Sequence, residues 1–174
     1  VRRAWICAVV CAASLLAAPA VLHLVPVAAA QDKDKDKEKE QKEKEEKERK
    51  EREKKKRDKA LCDICNQFGA KDVSWLLDRV PNEQKLTLSL GTGREVDYSL
   101  DQARGVLQRY FDGLDTLSVD PKSKDTKLTE TVGSFPMTYT PKEKKAKSAT
   151  LYVTISGLDS TQNGLLTKLV VDPQ

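Results

Sequence analysis

Histidine is almost absent from this chain of 174 residues: the single one, His23, lies in an apolar leader. Removal of that leader leaves no imidazole, the side chain that most often moves protons near neutral pH, and this weakens many enzyme classes. Cysteine is scarce as well. Cys7 and Cys11 sit in the leader as ordinary small hydrophobes, which leaves Cys62 and Cys65 as the only thiols beyond it. A zinc site needs about four ligands, so the remaining chain holds no metal site of its own, and an oxidising compartment disfavours assembling four thiolates from two copies. The eight glycines form no phosphate-cradling loop. Gly91-Thr92-Gly93 follows a strand pattern but opens no helix with a third glycine, and no cofactor is expected.

What is present falls into three compositions. Residues 1–30 are almost wholly apolar behind Arg2 and Arg3, and close on Ala28-Ala29-Ala30. This pattern reads as a signal peptide and places the mature protein outside the cytoplasm, periplasmic or secreted. The alternative is an uncleaved membrane anchor through residues 4–24, a stretch about long enough to cross a bilayer. Residues 31–59 form a charged spacer, with fifteen Lys/Arg and twelve Asp/Glu between Asp32 and Lys59. Residues 60–174 alone have the mixture that a packed domain requires. Their charges nearly cancel, so the sequence pI near 8.8 does not indicate a nucleic-acid-binding domain.

The spacer has no face to bury. From Asp32 to Glu40 alternation sets like charges four apart, which opposes a helix, and a disordered stub to about Lys39 is expected. From Glu40 the spacing changes to Glu43–Lys47, Glu46–Lys50, Glu48–Arg52, Glu51–Lys55 and Glu53–Arg57. In each pair the acid is on the N-terminal side, the better orientation, worth about 0.2–0.5 kcal/mol per pair. A solvated helix follows, open to continuation into the domain. Lys54-Lys55-Lys56-Arg57 sits in a run of nearly balanced charge with little long-range field, and the basic loop of Lys142, Lys144, Lys145 and Lys147 lacks aromatic neighbours for base stacking, so no specific nucleic-acid partner is expected.

In the domain, Leu61, Ile64, Cys65 and Phe68 recur at helical spacing, and Val73, Leu76, Leu77 and Val80 mark a second short helix before Pro81. Leu86, Leu88 and Leu90 alternate as a half-buried strand. Ser99 and Gln102 form a capping box for a helix whose stripe is Leu100, Ala103, Leu107, Tyr110, Phe111 and Leu114, with Gly113 placed to end it. Strand patterns follow at Thr116–Asp120, at Lys127–Tyr139 with a break near Gly133, at Ala149–Leu158 and at Leu165–Asp172, and Gly133 with Pro136 suits a bulge or bend that curves the sheet. The fold class is α+β: N-terminal helices and one long helix packed on a curved antiparallel sheet.

This element order, with Tyr98-Ser99, Gln102-Ala103, Val106-Leu107 and Tyr110-Phe111, resembles the nuclear-transport-factor-2-like, cystatin-like cone superfamily over residues 60–172. The resemblance implies a pocket between sheet and helices, used in related proteins for small apolar ligands, for isomerase or dehydratase chemistry, or for association. Tyr98, Tyr110, Tyr139 and Tyr152, with Asp97 and Asp112, are then the pocket candidates, although nothing in their spacing pairs them. Cys62-Asp63-Ile64-Cys65 is a redox or disulfide candidate. Two thiols three apart on a helix are within disulfide reach, but activation requires the helix to start there. The expectation is therefore a non-catalytic binding or assembly domain whose partner is an unknown protein, a small apolar ligand or a second copy. An extracytoplasmic thiol–disulfide protein and a Tyr/Asp isomerase-like enzyme are the alternatives. The membrane enters only through an uncleaved leader.

Overall fold

A computed structural model describes residues 31–142 and 144–174, with side chains from Lys39 onward. The leader expected over residues 1–30, and with it Cys7, Cys11 and His23, lies outside the described residues. The chain divides into two units, Val1–Lys42 and Glu43–Gln174, and the packing below belongs to the second.

The first helix, α1, spans Gln31–Gly69 without a break, so the stub expected to be disordered is helical. Strict alternation sets like charges four apart in the sequence but opposite charges three apart, and the second relation offsets the first. Within the second unit, Glu46 pairs with Lys50 at 2.7 Å, Glu48 with Arg52 at 3.7 Å, Glu51 with Lys55 at 2.8 Å and Glu53 with Arg57 at 3.6 Å. Packing starts where apolar residues start: Ala60, Leu61, Ile64, Cys65 and Phe68 are all buried. Gly164 lets the helix come close, because a Cβ there would lie 3.2 Å from both Ala60 Cβ and Ile64 Cδ1.

The short helix α2, Val73–Leu77, is capped by Asp72, which accepts a hydrogen bond from Trp75 N. Helix α3, Leu100–Asp112, opens on the expected capping box: Ser99 Oγ accepts from Gln102 N, and Gln102 Oε1 accepts from Ser99 N. Ala103, Leu107 and Phe111 form its buried stripe. Gly113 does end α3, but with φ −78°, so the left-handed conformation that usually favours glycine there is not used.

Seven strands form one open sheet: β1 Leu86–Leu90, β2 Val96–Tyr98, β3 Leu114–Val119, β4 Lys127–Leu128, β5 Val132–Pro141, β6 Lys147–Leu158 and β7 Gly164–Pro173. The order is β2-β1-β7-β6-β5-β3, with β4 paired to β5. The α+β class holds, but the sheet is mixed where an antiparallel one was expected, because β1 runs parallel to β7, Leu88 opposite Leu169. Alternation reports which face a residue occupies, not the direction of its neighbour, and the two strands are far apart in the sequence. Strand β2 was not anticipated. It forms a hairpin with β1 around Gly91 (φ 75°) and Gly93 (φ 68°), a backbone that glycine adopts without strain.

The break expected near Gly133 falls just before it, between β4 and β5, but no bulge interrupts β5 itself, which pairs with β6 in unbroken register from Val132↔Thr154 to Tyr139↔Lys147. Irregularities fall instead at Leu114/Thr116 and within Thr154–Leu158. Gly133 serves another purpose. A Cβ there would come within 2.6 Å of the Phe135 ring, so the position makes room for an aromatic side chain that is itself fully buried.

Candidate functional site

The helices cover one face of the sheet, and apolar side chains fill the space between. Phe135, Met137 and Tyr139 of β5, Leu151, Val153 and Ile155 of β6, and Leu169 and Val171 of β7 point inward, where they join Phe68, Leu76 and Leu107 in one core. Phe68 packs edge-on against Phe111 with ring centroids 5.0 Å apart, and Tyr110 lies 5.6 Å from Phe111. Among the described residues, Ser89 is the one polar residue whose relative exposure places it with the buried core.

The four tyrosines do not gather at one site, although Tyr110 and Tyr139 lie near each other. Tyr139 belongs to the core. Tyr152, on the same strand as Leu151 and Val153 but of opposite parity, stands on the outer face and is 36% exposed. Tyr98 is on β2 at the edge of the sheet. Tyr110 packs at the margin of the core, and its Oη is buried with no hydrogen-bond partner. Burial holds the Tyr110 phenol well above the usual tyrosine range, and the nearby Tyr139 adds to the shift. A phenol so disposed keeps its proton and is a poor general base. Asp112 lines a separate cleft of about 330 Å³ with Lys71, Gln108 and Lys142, in which Lys71 Nζ donates to the Leu114 carbonyl at 2.9 Å. Asp97 accepts a hydrogen bond from Thr87 Oγ1 at 2.7 Å on the outer face.

Cys62 and Cys65 are both free thiols. They lie deep within α1, far from its first turn, so the terminal dipole that lowers a thiol's pKa is out of reach. Burial pushes the Cys65 thiol up to about 12, with Cys62 and Asp120 adding to it. Cys62 is also raised, by burial and then by Asp63 and Asp58. Both shifts oppose thiolate formation. Among the described residues, no three His, Cys, Asp or Glu side chains gather closely enough to hold a metal ion.

The polar concavity lies on the opposite face of the sheet. An open groove of about 460 Å³ crosses β3, β5 and β6 and is walled by the loop after β3. The strand register sets its floor in rows: Ser118 opposite Thr138 and Thr138 opposite Ser148, then Pro136 opposite Thr150, then Ser134 opposite Tyr152. Asp120, Ser123, Asp125 and Lys127 line the wall, and Gln174 closes one end. That wall is ordered by its own hydrogen bonds: Lys122 N donates to Asp120 Oδ1 at 2.9 Å and Thr126 Oγ1 to the Asp120 carbonyl at 3.0 Å. Gln174 Nε2 donates to Thr150 Oγ1 at 3.2 Å. Sequence reasoning named only Tyr152 of this groove. For Thr150, Ser134 and Thr138 a partial signal was present, Thr150 two positions from Tyr152 and Ser134 four from Thr138, but it acquires a location only once the register is known.

No family model matches the chain, and no curated protein matches its sequence. Among solved structures, AusH from Aspergillus nidulans superposes with a TM-score of 0.51 at 8% identity, over 66% of this chain and 81% of that one. An uncharacterized cystatin-fold protein from Novosphingobium aromaticivorans gives 0.49 at 10% identity, over 66% and 96%. SalBIII, an epoxide hydrolase/cyclase-like enzyme of pyran ring formation in salinomycin, gives 0.49 at 9% identity, over 69% and 92%. The likeness is one of fold: the chain has the cystatin-type α+β architecture of nuclear-transport-factor-2-like proteins.

Proposed function

We propose that this chain is an exported, non-catalytic binding domain that makes its contact through the outer face of its sheet. The observation carrying this reading is the filled interior: Phe68, Leu107, Phe135 and Leu151 belong to one buried apolar cluster between helices and sheet. Two ionisable groups at its margin or within it, Cys65 and Tyr110, are held in their neutral forms. Proteins with this fold include enzymes such as SalBIII as well as proteins without an assigned function, so the fold itself does not choose between chemistry and binding. The choice rests on where polar groups converge, and in this chain they converge on the groove outside the sheet. Export rests on the leader pattern of residues 1–30.

Two measurements test the proposal. A photo-crosslinking residue placed at Thr138 in the groove is expected to form an adduct in the exported compartment, while one at Asp101 on α3 forms none. An adduct at Asp101 alone, or a small ligand recovered from among the core side chains, overturns the outer-face reading. Mass spectrometry of the exported protein is expected to find Gln31 as its first residue, and a chain retaining residues 4–24 overturns cleavage.

A further inference from the structure

The groove on the outer face has a chemistry that selects among occupants. Its floor offers an adjoining phenol ring and proline, Tyr152 and Pro136, with the hydroxyls of Ser134, Thr138, Ser148 and Thr150 around them. Tyr152 is the only large hydrophobic side chain exposed to this degree among the described residues. The wall contributes two carboxylates and one ammonium, Asp120, Asp125 and Lys127, and the end contributes the Gln174 amide.

Three classes of partner fit this surface poorly. An extended peptide would need unpaired backbone donors and acceptors, but β5 lies between β3 and β6, with backbone pairing on both sides. A folded protein would need an apolar centre to the contact, whereas polar side chains predominate here. A phosphate-rich polymer would meet the Asp120 and Asp125 carboxylates on the lining itself, and with Lys122, Lys124 and Lys127 the whole loop 120–127 carries a net charge of only +1, too little for a strong attractive field.

What remains is a ligand that is itself uncharged, rich in hydroxyls and apolar on one flat face. We infer that the groove binds a short neutral oligosaccharide, with Tyr152 under the C–H face of one sugar ring and Asp120 and Asp125 accepting hydrogen bonds from its hydroxyls. Serine and threonine hydroxyls both donate and accept, and so match sugar hydroxyls of either sense. Carboxylate acceptors give the stronger, charge-assisted contacts. Rows of hydroxyls on adjacent strands repeat at about 4.8 Å, a spacing on the scale of one sugar ring. A volume of about 460 Å³ falls within the range of roughly 300–1,000 Å³ usual for small-molecule sites. This inference rests on the outer face being the contact surface.

The test is titration of the isotope-labelled full chain with maltotriose, cellotriose and tri-N-acetylchitotriose, followed by amide chemical shifts. At least one sugar is expected to give saturable shifts at Ser134, Thr138, Thr150 and Tyr152 and none at Leu107. Tyr152→Ala is expected to weaken that binding by about tenfold, as loss of an aromatic platform does, while Tyr152→Phe keeps it within about twofold. Asp120→Asn weakens it as well. Both Tyr152 variants alter an exposed side chain, so an unchanged amide spectrum away from the groove confirms that they fold. Absence of saturable shifts with all three sugars overturns the oligosaccharide assignment, and so does equal binding by Tyr152→Ala. If the Thr138 crosslinker then captures a protein, the sugar assignment alone has failed. If it captures nothing, the outer-face reading fails with it.

Discussion

At the level of single residues, Tyr110 carries a cost that a substitution can remove. Its hydroxyl is buried without a partner, and an unsatisfied polar group of this kind costs about 1–3 kcal/mol. Tyr110→Phe is therefore expected to raise the denaturation midpoint by the equivalent of about 1 kcal/mol. A drop would show that the hydroxyl is satisfied after all. Gly133→Ala is expected to act in the opposite direction. Its new methyl would meet the Phe135 ring at 2.6 Å, inside a core with no slack, and overpacking of this sort costs about 1–3 kcal/mol. Cys65 makes stability depend on pH at the alkaline end. Its folded pKa lies above the ordinary value of 9.0, at about 12, so the native state favours the thiol. Stability falls as pH climbs from 9, where the unfolded thiol ionises, towards 12, where the folded one does. A Cys65→Ala chain, although less stable at neutral pH, is expected to lose less over that window in denaturant titrations. Of the candidate site, the spacing of the tyrosines and aspartates offered no pairing, and the proximity of Tyr110 to Tyr139 left no trace in the sequence. Nor did the sequence show that Tyr152 faces away from Tyr139, because that depends on which parity of each strand meets the helices.

At the level of elements, local signals were legible and long-range ones were not. The Ser99/Gln102 box and the stripe of α3 were readable because a helix cap and a helical face are decided within a few residues. Ser99→Ala is expected to cost about 1 kcal/mol with the fold retained, as read from the thermal transition and the far-ultraviolet dichroism. The charged pairs of α1 were readable for the same reason. Lys50 holds the Glu46 carboxyl below its ordinary value of 4.5, first by hydrogen bonding and then by charge, and Lys55 does the same for Glu51. The helix-favouring contribution of these pairs is present above 4.5 and is lost as pH falls through the lowered values. Ellipticity at 222 nm is therefore expected to decline in acid before the packed domain unfolds, and a single concerted loss of both would refute this. The parallel join of β1 to β7 left no local trace, since each strand shows the same inward leucines and valines whichever way its neighbour runs.

For the molecule as a whole, the distribution of chemistry matters more than its amount. One face of the sheet is buried and apolar and the other gathers hydroxyls, acids and a single exposed ring, the division on which the proposed outer-face contact rests. The α+β class was legible because helices precede most of the strands in the sequence, but the mixed sheet was not, because strand order is a property of the assembled chain. That order also governs when the assembly can be completed. Strand β7 lies between β1 and β6, so the first hairpin has no seat in the sheet until residues 164–173 arrive. During synthesis, residues 60–173 must leave the ribosome before the sheet can close, a delay that suits the export proposed above.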